Sequence, residues 1–172
     1  MKKFVSLVLL ATSLAASARA AVVVGADVGY LVDGEEAYYS ARIGLPVAAR
    51  NTLTHQVELE FGYTSHEDGG AKGNFMPLTL NYRLESTPAS KLGFYFGAGA
   101  GVAFTEIRGY GLSVEDSSFA AQAFAGLTYQ ANPTVSLHAG VKYLWIDEIE
   151  VYGIDVEVGD DVAFTAGLSF KF

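Results

Sequence analysis

The clearest strand signal in the chain is the stretch His55-Gln56-Val57-Glu58-Leu59-Glu60-Phe61-Gly62-Tyr63-Thr64. From Val57 to Tyr63 the odd-numbered positions are apolar, and the even-numbered positions between them are glutamate or glycine. Side chains of a β-strand alternate between two faces, so this period of two predicts a strand with one apolar face and one polar face. Its length matches the roughly 9 to 11 residues of a tilted strand that crosses a bilayer.

The same alternation recurs eight times after residue 20. In chain order, the eight apolar rows are Val24, Ala26, Val28 and Tyr30; Tyr39, Ala41, Ile43 and Leu45; Val57, Leu59, Phe61 and Tyr63; Leu78, Leu80, Tyr82 and Leu84; Leu92, Phe94, Phe96, Ala98, Ala100 and Val102; Phe119, Ala121, Ala123, Ala125, Leu127 and Tyr129; Val135, Leu137, Ala139, Val141, Tyr143 and Trp145; and Val162, Phe164, Ala166, Leu168, Phe170 and Phe172. A single-chain membrane barrel has an even number of strands, and eight satisfies that requirement.

The glycines indicate which face points outward. Every glycine inside the eight stretches lies on the face opposite the apolar row. An eight-stranded barrel has an interior that is only wide enough for side chains, so small residues are expected inside. A soluble barrel would bury its apolar rows, whereas here they must face outward, toward lipid. The sequence therefore predicts an all-β fold, an eight-stranded antiparallel up-and-down transmembrane β-barrel.

Residues 1–20 are typical of a secretory signal peptide that is cleaved after export. Lys2 and Lys3 form a basic start, residues 4–14 are apolar, and Ala18-Arg19-Ala20 is a small-x-small cleavage site. Residues 21–172 are then one outer-membrane β-barrel domain. They contain no cysteine, and eight Lys and Arg against nineteen Asp and Glu give a net charge of −11. Nucleic acid is excluded as a partner because phosphate binding needs a basic patch.

Aromatic residues of the apolar rows are predicted to form two girdles, one at each membrane interface. If the N-terminus is periplasmic, one rim holds Tyr30, Tyr39, Tyr63, Phe104, Phe119, Tyr143 and Trp145, and the other holds Tyr82, Phe94, Tyr129, Phe170 and Phe172.

The connections alternate between two kinds. Those at 49–52, 85–90 and 131–134 are short and carry turn residues, and we expect them to be periplasmic. Those at 33–36, 65–73, 106–116 and 147–161 are mostly longer, hold fifteen of the nineteen acids, and are predicted to lie outside the cell. Pro77 cannot donate to a strand ladder, so a bulge or a late strand start is expected there.

The last two external connections keep their alternation beyond the predicted rim. Ile149 and Val151, then Ile154, Val156 and Val158, stay in phase with their strands on either side of Tyr152-Gly153. This pattern predicts a hairpin that projects beyond the membrane.

With these features, the chain resembles the small OmpA/OmpX-type outer-membrane barrels and the broader outer-membrane β-barrel domain family over nearly all of its mature length. The resemblance rests on the signal peptide, on Phe94-Tyr95-Phe96-Gly97-Ala98-Gly99-Ala100-Gly101, and on Leu168-Ser169-Phe170-Lys171-Phe172. It implies export by the Sec pathway to the Gram-negative outer membrane, and contact with membrane lipids and lipopolysaccharide. It also implies that Leu168, Phe170 and Phe172 are the signal that the barrel-assembly machinery recognises.

Seven charged residues lie on the predicted inner face: Asp27, Glu58 and Glu60, together with Arg42, Arg83, Lys142 and Lys171. A charge in so narrow an interior must be paired or hydrogen-bonded. We therefore predict a lumen ion-pair network in which Arg42 pairs with Asp27, Glu58 or Glu60.

Three other patterns give weaker indications of a functional site. Gly97-Ala98-Gly99-Ala100-Gly101 is not followed by a helix, so it is interpreted as lumen packing rather than a phosphate cradle. Ser136 and His138 face the lumen side by side, but no third group is evident to orient them for catalysis. The acidic loops are interpreted as a solvated rim, with divalent-cation binding as a minor alternative.

These observations favour a non-enzymatic barrel that acts in envelope integrity or surface adhesion, without a cofactor and as a monomer. The external loops are the candidate surface for a protein partner. A lipid-modifying outer-membrane enzyme and a narrow pore remain as alternatives. Fold resemblance alone does not select among these roles.

Overall fold

The computed structural model describes residues 21–50, 52–68, 71–86, 91–109, 112–147, 149–151, 154–156 and 159–172. The predicted signal peptide lies outside these residues. Ten strands are present in the described residues: β1 Val23–Leu31, β2 Ala37–Arg50, β3 Leu53–Asp68, β4 Ala71–Ser86, β5 Leu92–Gly109, β6 Leu112–Gln130, β7 Val135–Ile146, β8 Ile149–Val151, β9 Ile154–Val156 and β10 Gly159–Lys171. Among the same residues, no helix has the length and apolar character needed to cross a membrane.

Eight strands form a closed barrel in the order β1-β10-β7-β6-β5-β4-β3-β2. All neighbours in it are antiparallel, and β1 completes the cylinder by pairing with both β2 and β10. At the seam, the N–H groups of Val22 and Phe172 each donate to the other residue's carbonyl oxygen, at 3.1 and 2.8 Å. Closure leaves no unpaired strand edge in the bilayer, where no water could satisfy it. The predicted fold class is confirmed.

The two faces are distributed as predicted. The apolar rows point away from the lumen, and Leu80, near the middle of β4, is 60% exposed. The interior is rich in buried polar and charged side chains: Ser40, Arg42, Gln56, Glu58, Glu60, Thr79, Asn81, Arg83, Thr105, Gln122, Thr128, His138, Lys142 and Thr165. A polar interior inside an apolar wall is the distribution required of a barrel that is surrounded by lipid.

The aromatic side chains predicted for the two girdles are all exposed on the outer wall. We call the rim that is predicted to face outward the external rim, and the opposite end the periplasmic end. At the external rim, Tyr39 pairs across strands with Tyr63, and the rings of Phe119 and Trp145 lie 5.8 Å apart at a steep angle. At the opposite rim, Tyr129 pairs with Leu92. Such rings have an apolar body and, in tyrosine and tryptophan, a polar tip, which suits the membrane interface.

In the two external connections at 65–73 and 106–116, the described residues are paired strand. The predicted loop at 65–73 is mostly the tip of a β3–β4 hairpin, whose ladder runs to Asp68 paired with Ala71. The predicted loop at 106–116 is likewise built by β5 and β6, which stay paired to Gly109 and Leu112. Polar, acidic composition suggested loops, but backbone pairing does not require apolar side chains, and it satisfies the backbone N–H and C=O groups.

The bulge or late strand start expected at Pro77 is absent, which corrects the sequence-based prediction. β4 begins six residues earlier, at Ala71, and its register with β3 is the same on both sides of Pro77. Only the pairing of Met76 and Pro77 with β3 is interrupted. The register shift occurs instead in β2, between Pro46 and Ala48. A bulge at this strand end places Pro46 where one missing donor matters least.

The small β8–β9 hairpin occupies part of the predicted external hairpin. Ile149 pairs with Val156 and Val151 pairs with Ile154. These pairs continue the register of the β7–β10 ladder. The remaining residues of the predicted hairpin, Tyr152, Gly153 and Val158, lie outside the described residues.

Candidate functional site in the barrel lumen

Arg42 is the centre of one half of the lumen network. It lies on the inward face of β2, and its guanidinium contacts the carboxylate of Asp27 on β1. Its Nη2 lies 3.1 Å from Nε2 of His138 on β7, and that imidazole also contacts Asp27. Arg42 Nε is 3.7 Å from Glu58 Oε1 on β3. One arginine therefore connects side chains from four strands.

Glu60 is the centre of the other half. Its Oε1 contacts the Lys142 ammonium and accepts a hydrogen bond from the Tyr38 hydroxyl at 3.3 Å. Its Oε2 accepts hydrogen bonds from the side-chain amides of Asn81 and Gln122, both at 3.3 Å. The donors come from β2, β4, β6 and β7, so this carboxylate is satisfied from all around the cylinder.

Arg83 extends the network toward the periplasmic end. Its guanidinium carbon lies 3.8 Å from the centroid of the Tyr95 ring, which is within the range of a cation–π contact. Its Nε is 3.1 Å from Glu85 and 3.9 Å from Glu58, which is itself only 1% exposed. Two arginines therefore share the Glu58 carboxylate at ion-pair distance.

The packed network fills the lumen. At its centre, among Asp27, Arg42, Glu60 and their neighbours, the remaining cavity is about 10 Å³. A cavity needs roughly 10 to 15 Å³ of such volume to hold one water. The arrangement is therefore a salt-bridged plug, and its chemistry is structural: it neutralises charge in a space with little or no water.

Six of the seven predicted charged residues meet in this plug. Lys171 does not, which corrects the prediction. It lies on the inward face of β10, but at the strand end, where it is exposed and lines a cavity of about 120 Å³ at the periplasmic mouth. Within the described residues it makes no ion pair. The alternation of β10 places Lys171 on the correct face, but it does not indicate depth, and solvent at the mouth removes the need for a partner.

Sequence reasoning missed the large aromatic side chains of the lumen, Tyr38, Tyr95 and Phe124. Each lies on the inward face, at the same strand parity as the glycines, so the signal was present. Glycines on adjacent strands create the room: a Cβ at Gly126 would lie 2.7 Å from Tyr95 Cζ, and one at Gly97 would lie 2.6 Å from Phe124 Cζ. The uncharged partners of the plug were missed as well: Thr79, Asn81 and Gln122.

Ser136 and His138 do not form a nucleophile–base pair. His138 is engaged with Asp27 and Arg42, and its ring lies edge-on to Tyr95 at 6.1 Å between centroids. Ser136 pairs with Ser169 and lines the periplasmic mouth. In the described part of the chain, no hydrogen bond joins the two, so the geometry supports a structural role for His138.

The predicted assembly residues lie along the outer face of β10. Leu168 and Phe170 are more than a third exposed, and Phe172 is 76% exposed. The side chain of Phe172 therefore contributes little packing, while its backbone closes the barrel seam with Val22.

Most of the acids considered as a cation site, including Glu148 and Glu157, lie outside the residues whose side chains are described. Elsewhere in the described residues, no group of three potential ligands could hold a metal ion.

Comparison with known proteins agrees with this architecture. The family model described as "Outer membrane protein beta-barrel domain" matches residues 4–172, whereas no curated protein matches the chain. Neisserial surface protein A is 16% identical with a TM-score of 0.69, covering 89% of this chain and 97% of that one. Ail, the attachment invasion locus protein of Yersinia pestis, is 16% identical with a TM-score of 0.56, covering 89% and 97%. The outer membrane enzyme PagL is 18% identical with a TM-score of 0.51, covering 87% and 98%. At these identities, the structural similarities indicate a shared fold but not a shared role.

Proposed function

Because the chain belongs to the outer membrane protein β-barrel domain family, we propose that it is a non-enzymatic surface protein that acts in adhesion through its external strands. The barrel wall lies among the lipids of the Gram-negative outer membrane and anchors the protein there. The proposal includes a cleaved signal peptide at residues 1–20, export by the Sec pathway, recognition of the last strand by the barrel-assembly machinery, and contact with lipopolysaccharide.

The main support is a sheet of four strands that continues beyond the end of the β2–β3 ladder at the external end. The β2–β3 ladder ends where Tyr38 pairs with Thr64, yet β3 continues to Asp68. On the far side, the β6–β7 ladder ends where Ala120 pairs with Ile146, yet β6 begins at Leu112. Between these limits β3, β4, β5 and β6 remain paired with one another. We call this four-stranded extension the external wall.

The edge of β3 gives the external wall a physical means of binding. Residues 65–68 pair with β4 but have no β2 partner within the described residues. An exposed edge of this kind can add an extended segment of another protein as a further strand, held by backbone hydrogen bonds. Because the external connections carry fifteen acids and only two bases, Lys72 and Arg108, we expect the bound segment to be basic.

The experiment measures the adhesion of bacteria that express the protein to cultured cells and to extracellular matrix. One variant lacks residues 66–73, which shortens the external wall to a tight turn between Ser65 and Asn74. A second lacks residues 149–156, the β8–β9 hairpin, and a third lacks both segments. We expect reduced adhesion in the variant without residues 66–73, and loss of adhesion in the double deletion.

The controls are surface labelling of intact cells and gel mobility before and after heating in detergent, which report export and barrel folding. Glu85→Gln, at the opposite end of the barrel, serves as the matched substitution that should leave adhesion unchanged. Undiminished adhesion by a folded, surface-exposed double deletion would reject the proposal.

A lipid-modifying enzyme is the second candidate, because one pair at the external rim has the form of a catalytic base with an orienting carboxylate. His66 Nδ1 lies 3.1 Å from Glu36 Oε1. In the described residues, however, no hydroxyl group is hydrogen-bonded to His66 as a nucleophile would be. Mass spectrometry of lipid A, from cells with the wild-type chain and with His66→Ala, distinguishes the candidates: altered lipid A that depends on His66 would favour the enzyme.

A further inference from the structure

A cavity of about 410 Å³ opens at the external end of the lumen, above the ion-pair plug. Its inner surface is mostly apolar, unlike the polar interior below it. The apolar lining residues are Leu31, Tyr38, Phe75, Pro77, Leu144 and Ile146. Beneath it, Leu31, Tyr38, Leu144 and Ala163 form a buried hydrophobic cluster that separates the cavity from the plug.

This apolar lining needs an explanation. The inward face touches no lipid at any depth, and at this end water can enter from outside, so polar residues would be the less costly lining. Keeping apolar surface in contact with water is unfavourable, and a concave apolar site of roughly 300 to 1,000 Å³ with a few polar groups is the usual form of a small-molecule pocket.

The rim of the cavity is acidic. Its lining includes Asp33, Glu36, Asp160 and Asp161, with His66 beside them and no lysine or arginine. Asp161 is already committed, because it accepts backbone N–H groups from Val32, Asp33 and Gly34 at 2.9 to 3.0 Å. Asp160 accepts a hydrogen bond from the Tyr143 hydroxyl at 2.6 Å. Glu36 contacts His66 through Oε1 at 3.1 Å, but within the described residues neither Glu36 Oε2 nor the Asp33 carboxylate has a partner. Asp33 and Glu36 are therefore the carboxylates best placed to meet a ligand.

We propose that this cavity binds a small organic cation, a molecule with a compact apolar body and a protonated amine. The apolar body would rest against Leu31, Phe75 and Ile146, while the ammonium group would lie between Asp33 and Glu36. Charge complementarity selects a cation over an anion, and the apolar lining selects against a simple inorganic ion. The cavity lining includes His66 from the strand edge of the external wall, but the proposed charge contacts, Asp33 and Glu36, lie outside that edge, so substitutions at these two positions test the cavity separately from adhesion.

The test uses the mature chain in lipid nanodiscs and three probes that share one apolar body: 4-phenylbutylamine, 4-phenylbutanol and 4-phenylbutyrate. Binding is measured by isothermal titration calorimetry, with empty nanodiscs subtracted to remove partition into lipid. We expect the amine to bind most tightly, the alcohol about tenfold more weakly, and the carboxylate not measurably. Affinity for the amine should fall as salt is added, whereas affinity for the alcohol should not.

Variants locate the site. Asp33→Asn with Glu36→Gln should weaken binding of the amine about fivefold to tenfold and leave the alcohol unchanged, as expected for two partly exposed charge contacts. Phe75→Ala should weaken both probes, and Glu85→Gln, at the far end of the barrel, should affect neither. Equal binding of all three probes, or amine binding that the double variant does not change, would overturn the proposal. Binding of oligolysine without binding of the amine would also overturn it, because the partner would then be a peptide.

Discussion

Glu60 illustrates, for a single residue, how this barrel tolerates buried charge. Its two oxygens have four partners, Lys142, Tyr38, Asn81 and Gln122. An ion pair taken out of water gains little net stability, but removing one partner leaves an uncompensated charge, which is strongly destabilising. The barrel should therefore lose much more stability when one partner of an ion pair is removed than when both partners are removed.

Lys142→Met is expected to lower the free energy of unfolding by about 3 to 5 kcal/mol, because the buried Glu60 carboxylate loses its cationic partner. Lys142→Met combined with Glu60→Gln should recover much of that loss. Urea unfolding of the barrel refolded into lipid bilayers measures both. The matched control is Arg108→Met, which breaks the exposed pair with Glu106 and should cost less than about 1 kcal/mol. Equal losses in the single and double variants would contradict the network.

Gly126 tests the close packing between glycine and aromatic residues. A Cβ at this position would meet the Tyr95 ring and the backbone of β7, so we expect Gly126→Ala to destabilise the barrel by about 1 to 3 kcal/mol. Gly73→Ala is the control, because the nearest atom to its added Cβ is 3.4 Å away, on Phe75. The same unfolding assay compares them, and similar stability of the two variants would refute the packing argument.

The lipid-facing side chains of one strand lie at different depths in the membrane, so the effect of substituting one of them depends on its position along the strand. Leu80 lies in the middle of β4 and pairs with Leu59 and Ala100, all on the lipid-facing side. Val47 lies at the β2 bulge, near the periplasmic end, and is 58% exposed. In a soluble barrel, charging either exposed position would have little effect, but a lipid-facing row responds according to depth.

We therefore predict that Leu80→Arg lowers the unfolding free energy by about 2 to 4 kcal/mol, and Val47→Arg by no more than about 1 kcal/mol. Equilibrium unfolding in bilayers of defined thickness provides the measurement. If both substitutions were tolerated equally, the apolar rows would not face hydrocarbon.

We propose that the last strand also carries the assembly signal, a role that its packing does not require. The Phe172 side chain is largely exposed, while its backbone N–H and C=O pair with Val22. Phe172→Ala should therefore retain the stability of the refolded barrel but reduce the amount assembled into the outer membrane of living cells. Quantitative blotting of membrane fractions, beside unfolding of the purified variant, separates the two effects. Unchanged assembly in cells would argue against the assembly signal.

Considered as a whole, the molecule is a closed cylinder with an open external mouth and a filled middle. The external cavity of about 410 Å³ and the periplasmic one of about 120 Å³ are separated by the plug, with its central cavity of about 10 Å³. Ions crossing this barrel would have to displace paired charges, which are costly to separate. The geometry therefore disfavours the narrow-pore alternative.

We expect no steady single-channel conductance from the wild-type chain in planar bilayers. The double substitution Arg83→Ser and Tyr95→Ser removes the stacked pair, and it should open a path for ions through the lumen and produce measurable conductance. Steady conductance from the wild-type chain would show that the plug moves or is bypassed.

The sequence by itself determined the number of barrel strands, their inside and outside faces, and the membrane setting. A strand has a side-chain period of two, and lipid on one side with a crowded lumen on the other imposes opposite chemistry on the two faces. The alternation of glycines and charges was enough to place all seven charged residues on the inward face, because the face of a strand residue is a local property.

Only the tertiary structure decided which lumen groups meet and how deep they lie. Asp27 contacts His138 and Glu60 contacts Lys142, pairs that are 111 and 82 residues apart. Their meeting depends on barrel closure and strand stagger, which no local pattern encodes. The same is true of Lys171 at the mouth, the strand pairing of residues 65–68 with 71–74, the bulge beside Pro46 and the apolar external cavity. Each depends on where neighbouring strands end, and that is set by pairing across the sheet.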